Sequence, residues 1–488
     1  MNKPIRTMSI AALLLFLALL VNVTVLQYVN AEGLNEDDRN RRVIVASFSR
    51  ERGAILVGRD PVAESVPSDD EYEFQRTYPE PFKYAHTTGF FSYFSQTGIE
   101  RSMNDVLSGE DERLFVNRLV DLISNADPQG GNVTLTMRRD AQDAAFEGLE
   151  GLGEGVRGAV VALEPSTGKI LAMASSPSYD PNRLADHDLS AVTRAYAELE
   201  GREDEPLLNR ATQVTLPPGS TFKLVTAAAL LESDPSLDED SLVPGGPTYQ
   251  LPLTTGADNV LDNGGRSCGS DEVTLSQAIA QSCNTTFLRV ADELGAEAME
   301  EQAQAFGFDQ TYLDDLPQAE SVYPDDQDRP QTALAGIGQG SVTATPLQMA
   351  MVAAGIANDG AVMRPYVVDE VRSPDLDLLE RTEPSEVSRA VSPATADALT
   401  EAMVATVEAG TAPQAAIPGV RVAGKTGTAQ STPDRPPYAW FVSFAPADNP
   451  KVAVAVIVQD AGVARDAISG SGLAAPIAKR VMEAVVFK

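Results

Sequence analysis

Histidine, cysteine and positive charge are scarce in this 488-residue chain, and each shortage argues against a class of function. There are two histidines, His86 and His187, and two cysteines, Cys268 and Cys283. An all-cysteine zinc site is thereby excluded and a histidine-rich one disfavoured, so we predict no metal and no cofactor. Acidic residues outnumber basic ones by 70 to 37, which gives a net charge of −33. Because nucleic-acid binding requires basic patches, we predict no nucleic-acid partner.

The N-terminus indicates export. Lys3 and Arg6 precede an apolar run, and residues 9–29 are numerous enough to span a bilayer. Basic residues before the run and acidic ones after it place the start inside the cell. We therefore predict a cytoplasmic stub (1–8), a single transmembrane anchor (9–29) and an extracytoplasmic remainder in the cell membrane. The alternative is a cleaved signal peptide, since Val29-Asn30-Ala31 passes as a cleavage site.

Export also bears on the two cysteines. They lie fifteen residues apart, and in an oxidising compartment a disulfide between Cys268 and Cys283 would stabilise the fold by about 3 kcal/mol in the chain-entropy model. Two buried free thiols are the alternative.

Apolar patterning predicts an α+β fold. Runs at 159–163 and 170–174 form a hairpin, and the segments 420–429, 438–446 and 451–459 supply three more antiparallel strands. A closing helix follows at the C-terminus, and a largely helical insert separates the two groups of strands. Thr345 and Pro346 mark a helix start. Residues 43–127 contain only short strand-like runs, and 133–150 read as a strand followed by a helix.

The first chemical motif is S-x-x-K, formed by Ser220 and Lys223 after Pro217-Pro218-Gly219. We predict a helix that begins at this serine, with the lysine one turn later on the same face. A lysine buried near another cation can lose its proton and serve as a base. Taken alone, the motif is more often a serine helix cap followed by a solvated lysine.

Two further motifs follow. Ser282-Cys283-Asn284 forms S-x-N, and Lys425-Thr426-Gly427-Thr428 contains K-T-G. The segment 419–426 also fits the phosphate-loop pattern, but prolines follow it where such a loop must open a helix. We therefore reject nucleotide binding there.

S-x-x-K, S-x-N and K-T-G in this order resemble the signature of the penicillin-recognising serine enzymes. The sequence around these motifs is similar to that of class B penicillin-binding proteins, and most similar to an actinobacterial subgroup of them. The segments at 158–182, 207–223, 336–350 and 423–430 carry this resemblance, with Arg52-Gly53 and residues 98–100 matching motifs of the N-terminal module. The resemblance implies a serine β-lactamase/transpeptidase-like domain, with a five-stranded antiparallel sheet, at 156–488. A non-catalytic pedestal module would occupy 30–155.

The resemblance also implies roles for the motif residues. Ser220 would attack the carbonyl between the two terminal D-alanines of a peptidoglycan stem peptide, and neutral Lys223 would take its proton. Ser282 would pass a proton to the leaving amine, and Asn284 would bind the donor's amide. β-Lactam antibiotics would acylate the same serine.

The third motif would hold the other end of the donor. Lys425 would supply positive field, Thr426 and Thr428 would hold the terminal carboxylate, and Gly427 would let the substrate approach the strand closely. The backbone N–H groups of Ser220 and Thr428 would form the oxyanion hole.

These motifs leave the acceptor open. A D,D-transpeptidase uses an amine from a neighbouring stem, a D,D-carboxypeptidase uses water, and a covalent β-lactam binder or scaffold needs neither. The resemblance of the chain, including its N-terminal module, to class B penicillin-binding proteins favours the transpeptidase. The resemblance also suggests a membrane glycan polymerase as a partner.

Overall fold

The computed structural model describes residues 2–29, 45, 48–70, 72–114, 129–429 and 436–487. Its strands are β1 Ile55–Val57, β2 Asp60–Pro67, β3 Phe74–Thr77, β4 Asn132–Leu135, β5 Arg157–Leu163, β6 Ile170–Ser176, β7 Leu242–Pro244, β8 Thr248–Gln250, β9 Val260–Asp262, β10 Glu272–Thr274, β11 Ala361–Met363, β12 Val368–Arg372, β13 Leu378–Arg381, β14 Glu386–Arg389, β15 Ala423–Ala429, β16 Tyr438–Ala445 and β17 Val452–Asp460.

Its α-helices are α1 Asn2–Thr24, α2 Pro81–Thr88, α3 Gly98–Ser102, α4 Asn104–Leu107, α5 Arg139–Glu150, α6 Asn182–Ala185, α7 Leu189–Glu200, α8 Arg210–Gln213, α9 Lys223–Ser233, α10 Leu275–Ala280, α11 Asn284–Leu294, α12 Ala296–Ala305, α13 Arg329–Ala335, α14 Pro346–Ala357, α15 Pro393–Glu408 and α16 Ala475–Val486. The predicted strand-like run at 42–47 lies outside the described residues except for Val45.

Helix α1 has the length and composition of a membrane span. With the π-turn Val25–Val29 that continues it, it provides a 26-residue helix from Lys3 to Tyr28, whose most apolar 18-residue window has a mean hydropathy of 2.6. None of its most apolar window is buried against the rest of the chain. Its leucines and Phe16 are exposed, as expected for a segment whose solvent is lipid.

The predicted five-stranded antiparallel sheet is present, in the order β15-β16-β17-β5-β6. The C-terminal strands pair with one another, and β17 then pairs with β5 so that the N-terminal hairpin completes the sheet. Strands β16 and β17 read as nearly continuous apolar runs because both faces of the sheet are covered.

Helices cover the two faces of this sheet. On one face, Ile477 and Val481 of α16, together with α5, pack against inward residues such as Val454 and Phe441. On the other, Leu347 and Met351 of α14 pack against Trp440 and its neighbours. Helix α14 begins as predicted, with the Thr345 side chain accepting a hydrogen bond from the backbone N–H of Gln348. The α+β class is confirmed.

A second sheet joins distant parts of the chain. Its order is β13-β12-β4-β1-β2-β3, so strands from 368–381 extend a sheet built by 55–135. Strand β12 pairs antiparallel with β4, and β4 pairs parallel with β1. Helix α5, placed by the sequence in the pedestal module, packs on the five-stranded sheet. The boundary at 155/156 stays a prediction, and the packing is continuous across it.

Candidate active site

Ser220 lies on a short turn that is clamped from several sides. Residues Gly219–Thr221 form one 3-10 turn, and α9 begins only at Lys223. The helix therefore starts later than the sequence predicted, and the Ser220 hydroxyl makes no capping hydrogen bond. The Trp440 indole N–H donates to the carbonyl of Pro217 at 3.0 Å, and the N–H of Gly219 donates to Gly338 at 2.9 Å. These bonds hold the serine at the end of a buried helix.

The Lys223 ammonium group is buried and faces the S-x-N motif. Its Nζ donates to the carbonyl of Ser282 at 2.8 Å and to Oδ1 of Asn284 at 2.7 Å, and it lies 3.3 Å from Oγ of Ser282. Among the described residues, no hydrogen bond joins it to the Ser220 hydroxyl, although both residues come from the same turn of chain. The hydrogen bonds of the lysine are thus made to the S-x-N motif.

Backbone conformation aims the S-x-N motif at this lysine. Helix α10 ends at Ala280, and α11 begins at Asn284, so the motif is the turn between them. Ser282 has a φ of 58°, a left-handed conformation that is uncommon for a serine and often marks a functional turn. Cys283 forms a disulfide with Cys268, so the structure contains the pairing that the sequence left open.

Lys425 approaches Ser282 from the opposite side, on strand β15. Its Nζ donates to Oγ of Ser282 at 2.9 Å and to the carbonyl of Thr426 at 3.0 Å. The Ser282 hydroxyl therefore lies between Nζ of Lys223 and Nζ of Lys425, and it accepts a hydrogen bond from Lys425. That arrangement lets the hydroxyl direct its own hydrogen toward Nζ of Lys223 when Lys223 is neutral.

Burial sets the charge state of these lysines. Burial, then the nearby Lys425 and Arg266, lower the pKa of Lys223 well below its ordinary value. Burial and then Arg266 lower the pKa of Lys425 to about 7. Two ammonium groups flanking one hydroxyl cannot both stay charged cheaply in a dry site, so one of them gives up its proton near neutral pH. The pKa of Lys223 is lowered more strongly than that of Lys425, which is the property that a general base requires.

The remaining K-T-G residues also border the site. Thr426 and Thr428 line the cleft, and Oγ1 of Thr426 lies 2.7 Å from Oγ1 of Thr411. The structure gives Gly427 a reason that the sequence did not. A Cβ at this position would lie 2.9 Å from Cβ of Trp440 and 3.0 Å from Cγ2 of Thr221, so the glycine lets β15 pack against the Ser220 turn.

A cleft of about 670 Å³ unites the three motifs. It is lined by Ser220, Ser282, Asn284, Thr426 and Thr428. Its other lining residues are Val260, Leu261, Asp262, Gly264, Arg266, Leu334, Ile337, Gln339 and Gly340. Sequence reasoning missed Thr411 and Arg266; neither belongs to a motif, and the only signal for Arg266 was its position two residues before Cys268. The described residues contain no group of side chains that could hold a metal ion.

The pedestal motifs meet in a buried ion cluster. Glu100 is fully buried, its carboxylate accepts hydrogen bonds from Nε of Arg52 and from Nε of Arg76 at 2.6 Å each, and the hydroxyl of Tyr78 is 3.2 Å away. Although burial by itself raises the pKa of Glu100, Arg76 and Arg52 outweigh it and hold that pKa below its usual value. The cluster thus joins Arg52-Gly53 and residues 98–100, the two motifs of the N-terminal module that were identified separately in the sequence.

Comparison with known proteins identifies the class to which this fold and site belong. Residues 158–483 match the penicillin binding protein transpeptidase domain, and residues 52–133 match the penicillin binding protein A dimerisation domain. The chain therefore belongs to the penicillin-binding protein transpeptidase family. The family predicted from the three motifs is confirmed.

Individual relatives narrow this to one subgroup. The chain is 45% identical, over all of its length and 99% of the relative's, to peptidoglycan D,D-transpeptidase PbpA of Mycolicibacterium smegmatis. It is 43% identical to the Mycobacterium tuberculosis PbpA over the same shares of the two chains. The predicted actinobacterial subgroup is confirmed.

Solved structures agree with these sequence matches. A ceftriaxone acyl-enzyme complex of penicillin-binding protein A from M. tuberculosis superposes with a TM-score of 0.85 at 43% identity, covering 91% of this chain and all of that one. A penicillin G acyl-enzyme complex of the same protein gives 0.82 at 44% identity, covering 89% of this chain and 99% of that one.

Proposed function

We propose that this chain is a serine D,D-transpeptidase that cross-links peptidoglycan stem peptides and is acylated by β-lactams. One observation carries the proposal: the Ser282 hydroxyl is held between Lys223 and Lys425 at the edge of the cleft that Ser220 lines. Lys223 supplies a buried base of lowered pKa and Ser282 a hydroxyl that can relay a proton, both beside the half-buried Ser220 that would act as the nucleophile. The relatives named as D,D-transpeptidases and the β-lactam acyl-enzyme structures support it.

In the first half-reaction, Oγ of Ser220 bonds to the carbonyl carbon between the two terminal D-alanines. Neutral Lys223 takes the hydroxyl proton, and the tetrahedral oxyanion accepts hydrogen bonds from the N–H groups of Ser220 and Thr428. Strand β15 lies at the edge of its sheet, so alternate N–H groups of that strand point away from β16 and are available to a substrate. Each such donor contributes about 3 kcal/mol to transition-state stabilisation.

Collapse of this intermediate breaks the C–N bond, and the departing amine of D-alanine receives a proton through Ser282. Asn284 holds the donor's amide, while Lys425, Thr426 and Thr428 hold its terminal carboxylate. In the second half-reaction, an amine of a neighbouring stem attacks the ester carbon, loses its proton to the network, and releases Ser220 with its hydroxyl restored.

An exchange assay tests this reaction and distinguishes amine from water as acceptor. The full chain in detergent is given a D-Ala-D-Ala thioester or pentapeptide donor and an excess of a labelled D-amino acid. We expect incorporation of the label to exceed hydrolysis in the wild type, and neither reaction in Ser220→Ala. The matched control is Ser190→Ala, which removes an exposed hydroxyl on α7. Hydrolysis alone would indicate a carboxypeptidase, and activity in Ser220→Ala would refute the assignment.

We also propose that α1 anchors the chain once in the cell membrane with the cleft outside. Its apolar span and the basic residues that precede it support this orientation. A membrane-fraction protein whose mature N-terminus is still Met1 or Asn2, and whose cleft reacts with an impermeant penicillin on intact cells, is the expected result. A mature N-terminus near residue 31 would instead identify a cleaved signal.

A membrane glycan polymerase is the partner that we propose for the anchor and the module. The proposal rests on family resemblance and on the place of that module directly after the anchor in the sequence. Crosslinking of the full-length chain in native membranes should capture a glycan polymerase; loss of this crosslink when α1 is replaced by an unrelated span would locate the contact on α1, and capture of only other proteins would contradict it.

A further inference from the structure

The cleft holds an arginine whose only role in the proposed reaction is to help lower the pKa of the two buried lysines. Arg266 lines the cleft, its side chain is exposed there, and its guanidinium forms no hydrogen bond or ion pair within the part of the chain that the structure describes. Lys425 already serves the terminal carboxylate of the donor. In a chain with a net charge of −33, an unpaired arginine beside two buried lysines is an exception that points to an anionic ligand.

The loop that carries Arg266 is built onto the S-x-N motif. Nδ2 of Asn284 donates to the carbonyl of Asp262 at 2.8 Å, and the backbone N–H of Thr285 donates to Oδ1 of Asn263 at 3.0 Å. The disulfide from Cys268 to the residue between Ser282 and Asn284 fixes the far end of the loop. Arg266 is thus positioned by the residues that hold the donor's amide, not by the strand that holds its terminal carboxylate.

The neighbourhood of the guanidinium suits a group that is both apolar and acidic. Val260, Leu261, Leu334 and Ile337 contribute apolar surface to the same cleft. The one carboxylate in the lining, Asp262, accepts the N–H of Gly264 at 2.8 Å; its charge attracts Arg266, but no hydrogen bond or ion pair joins the two side chains. The arginine therefore keeps its planar set of donors for a carboxylate of the ligand, which it can bind through two parallel hydrogen bonds.

We propose that Arg266 is a specificity-determining residue that binds a carboxylate of the donor stem peptide on the amino-terminal side of the D-Ala-D-Ala bond. This inference rests on the proposed function, because it concerns the donor of that reaction. β-Lactam side chains occupy the same side of the reactive carbonyl, so the same contact selects β-lactams whose side chain carries a carboxylate.

Benzylpenicillin and carbenicillin provide a matched pair of probes. They share the ring carboxylate, and they differ by one carboxylate on the carbon that bears the phenyl group. Acylation rates are measured on the full chain in detergent, by competition with a fluorescent penicillin, for the wild type, Arg266→Gln and Arg266→Lys. The control is Arg329→Gln, which removes the same charge from an exposed arginine that is paired with Asp292 outside the cleft.

We expect Arg266→Gln to slow acylation by carbenicillin by about fivefold to tenfold relative to benzylpenicillin. Arg266→Lys should change the ratio of the carbenicillin and benzylpenicillin acylation rates less than Arg266→Gln does, and Arg329→Gln should leave this ratio at its wild-type value. Equal slowing with both compounds would overturn the inference, because it would show that Arg266 acts on the shared carboxylate, on the pKa values of the lysines or on the fold; unchanged rates with both compounds would overturn it too. Failure of the wild type to react with either compound would instead refute the proposed function.

Discussion

Replacing Lys425 by methionine should make the protein more stable while abolishing its acylation. Lys425 is fully buried, and its pKa is about 7 where an exposed lysine has 10.5. At about 1.4 kcal/mol per pH unit, this difference corresponds to roughly 5 kcal/mol between the charged and neutral forms. The unfolded chain returns the ammonium to water and recovers that energy.

Linkage fixes the pH window of this effect. Between pH 7 and 10.5 the folded protein binds fewer protons at this lysine than the unfolded chain, so stability rises with pH there. Below pH 7 the full cost of the buried charge is present. From pH 7 to 9 the wild type should gain about 2 kcal/mol from this group, and the methionine variant should gain nothing from it.

The hydrogen bonds of Lys425 reduce the net gain. Its Nζ donates to Ser282 and to the carbonyl of Thr426, and losing them costs about 1 kcal/mol each. Lys425→Met should therefore be more stable than the wild type by about 2 kcal/mol at pH 7 and roughly equal to it at pH 9.

Urea unfolding followed by the fluorescence of Trp440 measures this directly. Trp440 is the sole tryptophan and lies fully buried on β16, next to the strand that carries Lys425. Lys451→Met, at an exposed position, is the control. The difference in the free energy of unfolding between Lys425→Met and the wild type should be larger at pH 7 than at pH 9. A difference that is the same at both pH values, or larger at pH 9, would refute the reasoning.

Three other substitutions test separate parts of the account. Ser282→Ala should slow acylation by fluorescent penicillin by about 10²-fold to 10⁴-fold, because it removes the proton relay proposed between the lysines; an unchanged rate would show that Ser282 takes no part in the reaction. Gly427→Ala should lower the free energy of unfolding, followed by Trp440 fluorescence, by about 1–3 kcal/mol and slow acylation, because its Cβ would press on Trp440. Unchanged stability and acylation would contradict the packing explanation for this glycine. Glu100→Gln should destabilise the protein by about 3–5 kcal/mol in thermal unfolding, since it strands two buried arginines; unchanged stability would show that the cluster is hydrated.

Much of the site could be predicted because its chemistry is local in sequence. Ser220 and Lys223 are three residues apart on one turn, and apolar runs such as 451–459 mark buried strands by composition alone. The five strands of the antiparallel sheet were predicted as two N-terminal and three C-terminal segments, whereas their order required the structure.

Other features depend on contacts between distant segments, which no local pattern reports. Strands β12 and β13 join the sheet of the N-terminal module from more than 200 residues away, and Glu100 meets Arg52 across 48 residues. Arg266 lies in the cleft on a loop that is fastened to the S-x-N motif by Asn284 and by the disulfide. The reason for Gly427, a close approach of two elements, also required the packed structure.

The central claim is that Ser220 is the nucleophile of an acyl-enzyme. Its most direct test is mass spectrometry of the full chain after brief exposure to benzylpenicillin, with the adduct mapped by fragmentation. We expect one penicilloyl group per chain, on Ser220, and no adduct on Ser220→Ala. An adduct on any other residue, or equal labelling of wild type and variant, would contradict it.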